Sequence, residues 1–115
     1  MTDKAKLKRL AEVSKLILET RLLALETAAR VRQRSLDRLA EINKPAGPTP
    51  LPLVAAAEVA IRYEVWADQR RSEINTVLAQ QTAEWEEARH EAARAFGRNQ
   101  VLDKLRERRR KDQLS

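Results

Sequence analysis

Cysteine is absent from this chain of 115 residues. That removes disulfides and thiolate metal ligands and points to a reducing compartment. Histidine occurs once, at His90, so a metal site built on paired imidazoles has no second ligand. Aromatic residues are confined to Phe96, Trp66, Trp85 and Tyr63, and glycine to two positions. A compact mixed fold needs bulky residues from several directions, and this composition supplies only stripes. No apolar run approaches the roughly 20 residues needed to cross a bilayer. The basic stretch from Met1 to Leu10 lacks the apolar core of a signal peptide. The expectation is a soluble, cytoplasmic protein.

Catalytic equipment is missing in the same way. There is no glycine-rich phosphate loop, no nucleophile elbow and no His-x-x-x-His pair. Glu84, Glu86, Glu87 and Glu91 gather near His90, but Arg89 and Arg94 stand among them at helical spacings. Mixed-sign faces of that kind support a helix through solvent-exposed pairs. The reading is of a non-enzymatic protein with no catalytic residue, cofactor or metal.

What is present is Ala, Leu, Glu, Arg and Lys in the blend of long helices or coiled coils. The one strong interruption is Lys44-Pro45-Ala46-Gly47-Pro48-Thr49-Pro50-Leu51-Pro52. Each proline removes a backbone donor and disfavours helix in the residue before it. A run this dense makes a stiff connector, after which Pro50 or Pro52 can start the next helix. The sequence predicts helices over about 3–43 and 53–110, joined by a Pro-rich turn at 44–52, in one domain spanning 1–115. Leu18, Leu22, Leu25, Ala29, Leu36 and Leu39 alternate four-three spacings, broken by Arg32. Leu10, Ile17, Ala24 and Val31 repeat every seven residues beside them. In the second helix Ile74, Leu78, Gln81, Trp85, Ala88, Ala92, Ala95, Asn99 and Leu102 keep the same rhythm. Sustained seven-residue repeats seat one helix against another, and a short connector makes neighbours antiparallel. The expected fold is all-α, an antiparallel two-helix coiled-coil hairpin with helix two longer than helix one. Counted from the turn, the first helix ends opposite about residue 95, so Phe96 to Arg110 is expected to project beyond it. Gly97, at the start of that overhang, marks a bend or is a tolerated glycine.

The formal charge of +6 is unevenly spread. Residues 1–10 carry Lys4, Lys6, Lys8 and Arg9 against Asp3, a balance of +3. Residues 98–112 carry Arg98, Lys104, Arg106, Arg108, Arg109, Arg110 and Lys111 against Asp103, Glu107 and Asp112, a balance of +4. The stretch between them has 12 basic and 13 acidic residues. An antiparallel hairpin brings both excesses to one tip. Such a tip is either solubilising charge, aided at the end of helix two by the helix dipole, or an electropositive surface for an acidic ring, groove or polyanion. Apolar side chains in excess of one seam, among them Leu7, Leu10, Val13, Ile17, Leu23 and Ala24, suggest a contact flank. Val59, Tyr63, Trp66 and Val77 lie near the second seam. Tyr63 and Trp66 either serve that flank or close the hairpin near its turn.

The closing Val101-Leu102-Asp103-Lys104-Leu105-Arg106-Glu107-Arg108-Arg109-Arg110, on a hairpin with basic ends, resembles the flagellar export protein FliJ and the YscO-like stalk proteins of type III secretion injectisomes. Members end in a Leu- and Lys/Arg-rich helix of the form x-x-Lys-Leu-x-Glu-Arg-Arg. The likeness covers the whole chain in architecture and about 92–110 in sequence; this chain is shorter than typical members and has a more pronounced Pro-rich turn. The resemblance implies a stalk that inserts its coiled-coil ends into a hexameric export ATPase ring. Lys4, Lys6, Lys8, Arg9, Arg98, Lys104, Arg106, Arg108, Arg109 and Arg110 would face acidic groups there. It also implies contacts of the flank with the cytoplasmic domain of the export gate and with export chaperones, and a place at the inner face of the membrane through partners alone. Two other readings stand beside it. One is a coiled-coil scaffold that self-associates through the second stripe of helix one. The other is a basic hairpin that binds nucleic acid, against which the tip offers only Phe96 as a stacking platform.

Overall fold

The computed structural model describes residues 2–45 and 47–114, so Ala46 of the expected turn lies outside the described residues. Two helices account for nearly all of it: α1, Asp3–Ile42, and α2, Leu53–Leu114. They pack together as an antiparallel all-α hairpin, with no strand among the described residues.

The helix ends follow local chemistry. Thr2 caps α1: its Oγ1 accepts the Ala5 N–H at 3.2 Å and its carbonyl accepts the Lys6 N–H at 3.1 Å, satisfying donors that the first turn leaves open. Asp3 adds a negative charge where the helix dipole favours one. The last turn of α1 closes through Asn43 N–H to the Leu39 carbonyl, and Pro45 follows. The Pro52 carbonyl accepts the Ala56 N–H at 2.8 Å, so α2 begins directly after the last proline. α2 runs unbroken through Gly97.

The chain divides into two compact units, residues 1–29 with 84–115, and residues 30–83. In the first, Leu7, Ala11, Ser14, Leu18, Leu25 and Ala28 of α1 are buried or half-buried, as are Trp85, Ala88, Ala92, Ala95, Asn99 and Leu102 of α2. Arg21 reaches Glu91 at 4.0 Å, and Glu91 also takes Arg94 at 3.1 Å. The Arg89 guanidinium lies 4.8 Å from the centre of the Trp85 ring, a cation–π contact on the rim of the seam. Small residues dominate the most buried positions (Ala11, Ser14, Ala92 and Ala95), which lets two helices approach closely.

In the second unit the core is Ile42, Ala67 and Ile74, with Leu39 packed against it. Arg32 Nε donates to Thr82 Oγ1 at 3.0 Å, and Ser35 Oγ donates to Gln81 Oε1 at 2.5 Å. No buried side-chain polar atom among the described residues is left without a partner.

Two expectations need correction. The leucine series of α1 holds only in part: Leu18, Leu25, Ala29, Leu36 and Leu39 are half-buried, whereas Leu22 is exposed. The most buried positions of α1 are Ala11, Ser14, Ser35 and Ile42; of the second stripe Leu10, Ile17 and Ala24 are exposed and Val31 is half-buried. Ser14 and Ser35 hold two of the most buried positions of α1, which hydrophobicity alone does not mark. The second correction concerns the overhang. Lys4 and Lys8 lie beside Arg106, Arg109 and Arg110, so Phe96 to Arg110 does not project beyond α1. Helix α2 is unpartnered at its start instead: Ile42 packs against Ala67 and Ile74, and Asn43 Oδ1 accepts from Arg71 Nε at 2.8 Å. Connector length explains the difference. At about 3.1 Å per residue, residues 43–52 can reach roughly 30 Å. Residues 53–71 of a helix, at about 1.5 Å each, occupy roughly 28 Å. The stiff connector runs back along the first turns of α2, which shifts the register from the one counted from the turn.

Candidate interaction surface

The first surface is basic. In the unit formed by residues 1–29 and 84–115, the antiparallel register lays the first turns of α1 alongside the last turns of α2. Between them is an open cleft of about 480 Å³ lined by Lys4, Leu7, Lys8, Arg106, Glu107, Arg109, Arg110 and Gln113. Five cations therefore face one concavity, with a single carboxylate among them. That carboxylate is shared: Lys111 Nζ lies 3.7 Å from Glu107. Arg109 is half-buried while its neighbours Arg108 and Arg110 are exposed. Guanidinium forks suit carboxylates and phosphates.

Of the ten residues expected at the tip, Lys4, Lys8, Arg106, Arg109 and Arg110 meet in that cleft. Lys6 and Arg9 line a separate shallow groove with Leu10 and Val13. Arg98, Lys104 and Arg108 are exposed and line neither. Leu7, expected on the contact flank, and Gln113, not singled out from sequence, also line the cleft. Leu7 could have been found as a seam position, four residues before Ala11; Gln113 depends on the register.

The second surface is apolar. On α1, Leu10, Val13, Leu16, Ile17 and Leu23 are exposed. Thr20 within this stripe returns its hydroxyl to the Leu16 carbonyl at 3.0 Å, and Arg21 borders the shallow groove formed by Val13, Leu16, Ile17 and Thr20. Across the seam of the same unit, Leu22, Leu25, Ala92 and Phe96 line a groove with Glu86, Arg89 and His90 at its edge.

The third lies in the unit of residues 30–83. Tyr63 and Trp66 stack at 5.6 Å between ring centres, tilted by 41°. Tyr63 Oη donates to the Ile42 carbonyl at 3.2 Å, capping an acceptor that the end of α1 leaves open. Tyr63 thus closes the hairpin, and Trp66, which is half exposed to solvent, is held against it. Between connector and α2 is a cleft of about 630 Å³, with Ile42, Pro45, Leu51, Ala56, Ala60 and Tyr63 among its walls. Arg71 pins its rim, bonding to Asn43, to Asp68 at 2.8 Å and to Glu64 at 3.5 Å. Lys44 pairs with Glu41 at 2.7 Å; this hydrogen bond and the carboxylate's charge raise the lysine pKa above its ordinary 10.5.

No cluster of three or more His, Cys, Asp or Glu able to hold a metal occurs among the described residues, and no described helix is long and apolar enough to cross a membrane. No family model, curated protein or solved structure matches the chain.

Proposed function

We propose that this chain is a non-enzymatic stalk-type interaction subunit of a bacterial flagellar or type III export apparatus. It works in the cytoplasm, docks its basic end to acidic groups of a hexameric export ATPase and offers its apolar flank to the export gate or to export chaperones. The observation that carries this reading is the meeting of cations from both chain extremities in one cleft. Lys4 and Lys8 on α1 and Arg106, Arg109 and Arg110 on α2 are more than 95 positions apart in sequence, yet face the same space. A focused positive field raises encounter rates with an acidic partner and fixes its orientation. The exposed Leu10, Val13, Leu16, Ile17 and Leu23 support a second contact along the same unit, and Trp66 with Tyr63 is an aromatic anchor of the type that interfaces favour. The nucleotide chemistry belongs to the ATPase; differential binding of this chain to its conformations biases the cycle.

The test is co-purification with the export ATPase together with its steady-state ATP turnover. The triple charge reversal Arg106→Glu, Arg108→Glu and Arg109→Glu is expected to abolish both co-purification and stimulation. Stimulation that survives the reversal refutes the reading. Binding of the wild-type chain to single-stranded nucleic acid, falling steeply with salt, would assign the cleft to phosphate instead.

A further inference from the structure

The first turns of α2 are apolar almost all the way round. From Leu53 to Trp66 the only charged residues are Glu58, Arg62 and Glu64, and a helix of that kind belongs in an interior. It has no helix beside it, because α1 ends at the level of Ala67 to Ile74. The connector covers one side, where Ala56, Ala60 and Tyr63 line its cleft. The side away from the cleft is bare: Val54 is 71% exposed, Ile61 65% and Val65 66%. Val54, Glu58, Ile61 and Val65 follow four-three-four spacing, the signature of a seam awaiting a helix.

We infer that this face pairs with the same face of a second copy of the chain, antiparallel, about a twofold axis near residues 59 and 60. Three observations choose that occupant. Antiparallel pairing sets Val54 opposite Val65 of the second copy. It also brings Glu58 beside Arg62 of the second copy, twice by symmetry, so the only charges on the face neutralise each other. A parallel pair would set Glu58 against its own copy. The second observation is the continuity of the stripe: Val54, Ile61 and Val65 are each about two-thirds exposed or more, and only Glu58 interrupts them, so a matching helix removes three apolar side chains per copy from water. The third is the lack of a basic fringe. An interfacial membrane helix carries Lys and Arg along its polar face, and Arg62 is the only one here. The pairing is isologous and therefore closes at two. It does not depend on what the basic cleft binds.

Sedimentation of the full chain from low to high micromolar concentration tests it, with helix content at 222 nm as the control for folding. The expected result is a species of twice the 13.2 kDa chain mass at the upper end. Ile61→Lys is expected to raise its dissociation constant roughly tenfold or more, since it buries an unpaired charge. Glu58→Arg alone weakens the dimer by setting cation against cation, and Glu58→Arg with Arg62→Glu restores it to within about threefold. A monomer at every concentration overturns the inference; if that monomer floats with phosphatidylcholine–phosphatidylglycerol vesicles, the face belongs to lipid. A dimer unmoved by Ile61→Lys and by Glu58→Arg, yet broken by Ile17→Lys, overturns it equally and moves self-association to the α1 stripe.

Discussion

Removing the Ser35 hydroxyl offers a sharp test of how the seam works, because two effects of opposite sign meet there. Ser35 is 1% exposed and donates to Gln81 Oε1 at 2.5 Å. Ser35→Ala deletes a hydrogen bond with a net worth of about 1 kcal/mol and strands a carboxamide oxygen, which costs about 1–3 kcal/mol when fully buried. Gln81 is half-buried, so water reaches it and the loss sits near the low end, about 1.5 kcal/mol. Alanine is the better helix former by about 0.5 kcal/mol. The expected net destabilisation is about 1 kcal/mol. Gln81→Leu should cost less, because an orphaned serine hydroxyl can turn to a carbonyl one turn back, as Thr27 and Thr76 do at 3.0 Å. Ser35→Ala with Gln81→Leu replaces both partners by apolar groups and should match or exceed the parent in stability, giving a coupling of about 1 kcal/mol. Urea unfolding followed at 222 nm measures all four proteins. A Ser35→Ala chain as stable as the parent, with coupling within about 0.3 kcal/mol of zero, refutes the view that this polar layer specifies the seam.

Three further perturbations have defined outcomes. A Cβ built on Gly97 meets nothing within 4 Å, so Gly97→Ala should stabilise by roughly 0.5–1 kcal/mol, seen as a rise in urea midpoint at unchanged slope. Tyr63→Phe removes the donor from the Ile42 carbonyl and should cost about 1 kcal/mol; faster amide exchange over residues 39–43 is the local readout. The Lys44 pKa is raised in the folded chain by Glu41, so the pair's contribution is fully present below the ordinary value of 10.5 and fades as pH rises through the raised one. The difference in melting temperature between the parent and Lys44→Gln should close over that window, and a gap that persists above it contradicts the assignment.

Helix two was readable from its sequence, because Ile74, Leu78, Trp85, Ala92 and Leu102 mark the seam by hydrophobicity and the structure buries or half-buries each one. Helix one was readable as a helix and in part in its facing, since Leu18, Leu25, Ala29, Leu36 and Leu39 are half-buried. Its seam also holds Arg32 and Ser35, whose polar groups bond across to Thr82 and Gln81, and a hydrophobicity count cannot see satisfaction by a partner. The grouping of cations from both extremities followed from antiparallel topology alone. Which of them share the cleft required the register, and the register was hidden in the connector: a proline-rich segment spans about twice as much length per residue as a helix, so counting residues from its middle misplaces every facing pair.

That two-to-one ratio has a consequence for how the chain tolerates change. Adding a residue to the connector supplies about 3 Å of slack, which bulges outward beside Pro45 or Leu51 and leaves Ser35 opposite Gln81. Losing one takes the same distance from a reach of roughly 30 Å that little exceeds the roughly 28 Å of helix beside it, and the shortfall falls on the Asn43–Arg71 clasp first. Lengthening of this stretch across descendants should therefore be common and silent, whereas trimming should travel together with loss of about two residues from the start of α2.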